Sequence, residues 1–254
     1  MTNPHTWNDF MFDRIKALDN INYTPKKVLD IGANIGQFYD GFTSIFPYVE
    51  ILSIEGNINC EKYLKEKNPN YKICMLSDSE KSTTFYMGSE VCGGSSLFKE
   101  TTPFYNKPQE ITVNTTTLDS IIPSTMVYDY IKLDVQGAEL DIIKGGLYTI
   151  LKSSFLQLEL SILEYNEGAP LIGDIISFLN PLGFKVFDIG SLNYWEGRLN
   201  QSDLLFINSN TLNSKLKIEV KGVRFKVILD ERNDLDSKGN RPVKPPLIPG
   251  ERTF

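Results

Sequence analysis

Residues 28–42, "VLDIGANIGQFYDGF", decide how the chain folds. Val28 to Ile31 is an apolar run of strand length. Gly32 and Gly36 then punctuate a short turn, and Phe38 and Phe42 return at helical spacing. A strand that runs through a glycine turn into a helix is the opening unit of an open parallel sheet. In such sheets a ligand sits beyond the carboxyl ends of the strands, where the strand order reverses. Gly32 and Gly36 let the backbone approach that ligand, and Asn34 between them tolerates positive φ. The helix that starts near Gly36 points free N–H groups and its positive dipole end at the same place.

The same alternation continues along the chain. "EILSIEG" (50–56), "YKICMLSD" (71–78), "YDYIKLDV" (128–135), "FLQLEL" (155–160), "FKVFDIG" (184–190) and "SDLLFIN" (202–208) read as strands. "AELDIIKGGLYTILK" (138–152) and "PLIGDIISFLN" (170–180) have helical periodicity. Seven strands interleaved with helices predict a mostly parallel α/β sheet with helices on both faces. "TTFYMG" (83–88) and "EITVNTT" (110–116) predict a small antiparallel insertion carrying a Gly/Ser/Pro/Thr-rich loop at 88–108.

The expected organisation is an N-terminal helical arm over 1–25, with Trp7, Phe10, Met11, Ile15 and Leu18 on one face, and a main domain over 26–208. A β-hairpin at 209–229, turning at Gly222, and an extended or disordered tail at 230–254 complete it. The 254 residues carry 26 Lys and Arg against 32 Asp and Glu, a net charge of −6. Residues 215–254 hold ten basic against six acidic side chains, which leaves −10 on residues 1–214. That acidic body disfavours nucleic acid as a partner. Three cysteines, Cys60, Cys74 and Cys92, are too few for a disulfide framework or a zinc site. With no apolar run of membrane-spanning length and no signal-peptide pattern, the expected location is cytoplasmic.

Three strand ends carry candidate ligand groups. Glu55, 25 residues after Asp30, stands where an acid binds ribose hydroxyls in nucleotide folds. Ser77 and Asp78, closing "YKICMLSD", stand where an adenine would lie. Asp134 closes "YIKLD". Lys132 reads as a strand residue with a solvated end, and Glu139 as a helix-start hydrogen-bonding group. The only histidine is His5, on the arm, so a histidine base is disfavoured. A dinucleotide enzyme would need G-x-G-x-x-G, whereas the chain has D-x-G-x-N-x-G.

That turn resembles motif I of the S-adenosylmethionine-dependent methyltransferases. Together with "GGSSL" (93–97), "TTTLDSII" (115–122) and "YIKLDVQGAELDIIKGG" (130–146), it makes residues 26–208 similar to the FkbM-type family of that class. The resemblance implies a Rossmann-like class I fold and an O-methyltransferase acting on hydroxyls of sugars, polyketides or related natural products. It implies S-adenosylmethionine held by Asp30, Gly32, Ala33, Asn34, Gly36, Gln37 and Phe38 on the turn. Glu55, Gly56, Ser77, Asp78, Asp134 and Val135 would supply the rest of that site. Asp134 would face the transferring methyl group.

Methyl transfer to oxygen needs the acceptor proton removed. Asp134 and Glu159 are the strand-end candidates, and two readings stand open for them: a general base, or a pair holding Mg²⁺ that acidifies the hydroxyl. Acceptor recognition is assigned to insertions at the carboxyl edge, namely loop 88–108, 162–170 and "GSLNYWEGRLNQSD" (190–203). They supply Ser95, Ser96, Tyr165, Asn166, Tyr194 and Trp195, with Asn193, Arg198 and Gln201 as further hydrogen-bonding groups. The same aromatics also suit loop packing or a homodimer contact. A small molecule or glycan is the expected partner. A nicotinamide oxidoreductase and a non-catalytic binding module are the competing readings.

Overall fold

The computed structural model describes residues 15, 16, 18, 23–88, 94–102 and 108–211. Trp7, Phe10 and Met11 of the N-terminal arm, His5, Cys92, residues 212–229 of the expected hairpin and the tail lie outside the described residues.

The seven-stranded sheet is built from β1 (Lys27–Ile31), β2 (Glu50–Glu55), β3 (Tyr71–Ile73), β7 (Tyr130–Leu133), β8 (Phe155–Ser161), β9 (Phe184–Trp195) and β10 (Arg198–Asn208). Their order is β3-β2-β1-β7-β8-β10-β9. All neighbours from β3 to β8 pair in parallel, while β10 is antiparallel to both β8 and β9. From β1 the chain first builds outward through β2 and β3, then returns to add β7 on the other side of β1. The order therefore reverses between β1 and β7, and the crevice at their carboxyl ends is the place for a ligand.

The central strands are apolar because both faces are covered. One face carries Leu29, Ile31, Leu52, Ile54, Ile131, Leu133, Leu156 and Leu158, all in a single buried cluster. Helices α3 (Leu118–Ile121), α4 (Glu139–Gly145), α5 (Leu147–Ile150) and α6 (Ile172–Leu179) close it through Leu118, Ile142, Ile143, Ile150, Ile175 and Leu179. The other face is aromatic. Tyr130 lies 5.3 Å from the ring of Phe42 and 6.4 Å from that of Phe155, with Phe38 and Phe42 supplied by α1 (Gln37–Ile45). Helix α2 (Glu61–Lys67) adds buried Leu64.

A second, three-stranded sheet is ordered β4-β6-β5, with β4 at Met75–Leu76, β5 at Ser82–Met87 and β6 at Gln109–Thr116. β5 and β6 form the expected antiparallel pair. Three expectations need correction. "YKICMLSD" is not one strand: β3 stops at Ile73, and Met75–Leu76 leave the main sheet to pair with β6. The helix expected over 138–152 is two, because the chain bends at Gly146 between α4 and α5; a Cβ there would meet Leu118 at 2.6 Å. The segment 190–203 is not an insertion loop. β9 runs on to Trp195 and turns through Glu196 and Gly197, at φ of 47° and 76°, into β10. Two residues in left-handed conformation are the tight turn that suits two twisted antiparallel strands.

Candidate functional site

A cavity of about 920 Å³ opens at the carboxyl edge over the β1/β7 crevice. Its first wall is the glycine turn. Gly32 has φ of 77°, and a Cβ on it would lie 1.8 Å from the carbonyl oxygen of Asp134, so the turn packs directly on the end of β7. Gly32 and Ala33 donate their N–H groups to Ile54 O at 2.9 and 3.1 Å, which ties the turn to β2 as well. Asn34, at φ 48°, donates its N–H to Glu55 Oε2 at 2.8 Å, and Asn57 donates to Glu55 Oε1 at 2.7 Å. Both Glu55 oxygens are thereby fixed at the cavity wall, each with a further lone pair to offer. Burial pushes the Glu55 carboxyl up, while these two N–H groups hold it down.

Of the residues assigned to a cofactor, Gly32, Ala33, Asn34, Gln37, Phe38, Glu55, Gly56, Asp134 and Val135 line this cavity. Asp30 and Gly36 do not; Asp30 is fully buried behind the turn. Ser77 and Asp78 do not line it either. They follow β4 into the second sheet, and the Asp78 carboxylate faces outward, 2.7 Å from Lys81 Nζ, which holds its pKa down to about 2. The cavity wall after β3 is made instead by Cys74, Met75 and Leu76.

The opposite half of the cavity is polar and aromatic. Asp134, Gln136, Glu159, Tyr165, Asn193, Tyr194, Trp195, Asn200 and Gln201 face it, with Ser95, Ser96, Glu100 and Thr102 from the insertion. Gln136, at φ 55°, donates its amide to Asp134 Oδ1 at 2.9 Å and to Glu159 Oε2 at 2.5 Å, so one side chain spans the two carboxyl groups. Gln201 donates to Glu159 Oε2 at 3.1 Å and to the Tyr165 hydroxyl, and Tyr165 donates to Gln136 Oε1 at 3.1 Å. Burial, and after it the neighbouring Asp134, push the Glu159 carboxyl well above the usual carboxylate range. Asn166 lies beneath rather than on the wall, donating to Gln136 O at 2.9 Å. Arg198 does not line the cavity.

Residues 94–102 cross over this half. Ser96 pairs with Tyr86 of β5 and donates its hydroxyl to Gln136 O at 2.6 Å. Thr101 N–H reaches Tyr165 O at 2.8 Å, and Glu167 N–H reaches Lys99 O at 2.9 Å. The insertion is thus stitched to the segment that carries Tyr165. Glu139 caps the loop before α4, as expected: its carboxylate accepts from Val135 N at 3.1 Å and Gly137 N at 3.0 Å.

Lys132 is the main surprise. It is 5% exposed, not a solvated strand end. Its Nζ donates to Gly32 O at 3.0 Å and lies 3.3 Å from Asp30 Oδ1 and 3.5 Å from Asp134 Oδ2. Burial alone would lower its pKa, but Asp134 and Asp30 outweigh it and hold the ammonium charged. The sequence does carry a signal for this. "VLDI", "ILSI", "YIKL" and "FLQL" each place one polar residue third in an apolar quartet. The pairing register aligns them: Asp30 sits opposite Ser53 on one side and Lys132 on the other, and Lys132 opposite Gln157. Four buried polar side chains therefore cross the aromatic face of the sheet in one row.

Among the described residues, no group of three His, Cys, Asp or Glu side chains is arranged to hold a metal ion. No helix among them is long and apolar enough to cross a membrane.

The strand order, with one antiparallel strand between β8 and β9, and a glycine turn at the switch point define a class I methyltransferase fold. Residues 30–186 match the profile of the methyltransferase FkbM domain, and the chain belongs to that family. It is similar to the FkbM methyltransferase of Methylobacillus flagellatus, with 18% identity and a TM-score of 0.44 over 72% of this chain; the chain spans 43% of the length of that protein. A putative caffeoyl-CoA O-methyltransferase from Staphylococcus aureus has 14% identity and a TM-score of 0.44, over 82% of this chain and 85% of its own. The magnesium protoporphyrin IX methyltransferase of Synechocystis, solved with bound S-adenosylmethionine, has 12% identity and a TM-score of 0.42, over 78% of this chain and 77% of its own. No curated protein sequence matches the chain.

Proposed function

We propose that the protein is an S-adenosylmethionine-dependent O-methyltransferase whose acceptor is a hydroxyl of a sugar or another polyhydroxylated compound. The observation that carries this reading is the joining, in one cavity of about 920 Å³, of the glycine turn and Glu55 to the Asp134–Glu159 pair and its amide and aromatic surround. The turn suits S-adenosylmethionine: Gly32 admits no Cβ, and Glu55 has lone pairs free for both ribose hydroxyls. A sulfonium cofactor without phosphates also accords with the missing dinucleotide glycine pattern.

S-adenosylmethionine supplies an electrophilic methyl group on a sulfonium. The chain's own part is alignment and proton removal. Asp134, 3.5 Å from Lys132 Nζ and linked through Gln136 to Glu159, is the group that accepts the acceptor's proton at a carboxylate oxygen. Tyr194 and Trp195 on the β9–β10 hairpin offer flat faces to a sugar ring, with Asn193, Asn200 and Gln201 beside them for hydroxyls. The test is transfer of a labelled methyl group from S-adenosylmethionine to a panel of glycosides and glycans. Label should appear in an alkali-stable ether with wild-type protein and fall roughly 10²–10⁴-fold with Asp134→Asn. Label in an amine or a carboxyl ester would refute the hydroxyl assignment.

A further inference from the structure

Lys132 occupies a place that the proposed chemistry does not by itself require. Its ammonium is buried in the polar row, yet it also reaches the edge of the cavity. Three anchors meet on that one nitrogen: the Gly32 carbonyl in the turn, Asp30 beneath it, and Asp134 at the end of the neighbouring strand. The row behind it is braced at both ends. Asn68 donates to Ser53 Oγ at 3.0 Å on one side, and Tyr130 donates to Gln157 Oε1 at 2.6 Å on the other. Gln157 in turn donates to Asp203 Oδ1 at 3.3 Å, on β10. A side chain held this way has little freedom to relax, and a buried cation is kept only where its partners are fixed.

We propose that Lys132 is a positioning residue that sets the glycine turn and the Asp134 carboxylate in register across the β1/β7 crevice. If Lys132 served only to neutralise buried Asp30, the pair could be replaced by neutral groups with no loss at the cavity. If it positions, the Gly32 carbonyl and Asp134 lose their common anchor even when the buried charge has been removed. The ring of Phe38, which lines the cavity 5.6 Å from Lys132 Nζ, would lose the same support. The inference rests on the cofactor reading above for its consequence in binding, but not for its consequence in the turn itself.

The test compares Asp30→Asn with the double variant Asp30→Asn/Lys132→Met, so that neither protein carries an unpaired buried charge. Melting temperature, affinity for S-adenosylhomocysteine by calorimetry, and amide hydrogen exchange over residues 31–37 without ligand are measured for both. Both variants should unfold in one cooperative transition, the double variant several degrees lower for the lost bond to the Gly32 carbonyl. It should bind S-adenosylhomocysteine roughly tenfold to hundredfold more weakly, the loss expected for a charged hydrogen bond. Its turn amides should exchange faster while those of β7 and β8 do not. Equal affinity and equal exchange in the two variants would overturn the proposal and leave Lys132 as a counter-charge only. If wild-type protein does not bind S-adenosylhomocysteine, the cofactor reading fails by itself, and the exchange comparison still decides the role of Lys132.

Discussion

Replacing Gly32 by alanine puts the packing of the turn under the most direct strain. The added Cβ would sit 1.8 Å from the Asp134 carbonyl oxygen and 2.8 Å from its carbonyl carbon, both backbone atoms. A carbon–oxygen contact needs about 3.3 Å, so roughly 1.5 Å must be found by moving the turn or the end of β7. Neither is free to move. The turn is tied to Ile54 O by two N–H groups, and Asp134 N–H is bonded to Ile31 O at 3.1 Å. Alanine at φ of 77° adds about 1–2 kcal/mol of backbone strain. Displacing the Gly32 carbonyl from Lys132 adds about 1.5–3 kcal/mol for a hydrogen bond to a charged group. A total of about 2.5–5 kcal/mol predicts a melting temperature lower by roughly 5–20 °C in a domain of this size. Affinity for S-adenosylhomocysteine should fall at least about a hundredfold, because the displaced atoms form the cavity wall. Differential scanning calorimetry and isothermal titration measure the two effects. A Gly32→Ala protein that melts within 2 °C of wild type and binds within about threefold would show that the turn does not pack on β7 as described.

Other substitutions separate the parts of the site. Glu55→Ala strips the two N–H groups of Asn34 and Asn57 of their acceptor and should weaken S-adenosylhomocysteine by at least about tenfold; unchanged affinity would remove Glu55 from the cofactor site. Asp78→Asn should leave that affinity within about twofold, since the carboxylate is turned away onto Lys81, and a large loss would return Asp78 to the site. Glu139 gives the pH dependence. Burial raises its pKa from 4.5 to about 7, so the folded protein keeps a proton that the unfolded chain releases. Its contribution to stability is full below pH 4.5 and is lost as pH rises through about 7, on the order of 3 kcal/mol in all. Denaturant unfolding between pH 5 and 8 should show a shallower decline in Glu139→Gln than in wild type, and identical slopes would contradict the assignment.

The elements that build the ligand edge were legible wherever local pattern and tertiary role agree. The turn at 32–36 reads from its glycines, and the central strands read from their apolar runs, because burial on both faces leaves no other composition stable. Glu139 reads as a hydrogen-bonding group at a helix start, and its carboxylate does accept there, from Val135 and Gly137 in the loop that leads into α4. The misreadings share a different cause. Asp78 reads as a strand end because "YKICMLSD" is uniformly strand-like, yet nothing local reports that Met75 and Leu76 switch to another sheet. The segment 190–203 looked like a loop because its polar and aromatic residues face a cavity and solvent rather than a core. Lys132 looked solvated because a lysine in a strand usually is. Only the third position shared by four quartets reveals the buried row, and register, which decides that, is a property of pairs of strands.

The central claim is that the cavity over the β1/β7 crevice holds S-adenosylmethionine. Calorimetric titration of the protein with S-adenosylhomocysteine, alongside NAD⁺, tests it most directly. The account predicts one site per chain for S-adenosylhomocysteine, weakened by Glu55→Ala, and no heat with NAD⁺. Binding of NAD⁺ with none of S-adenosylhomocysteine would contradict it.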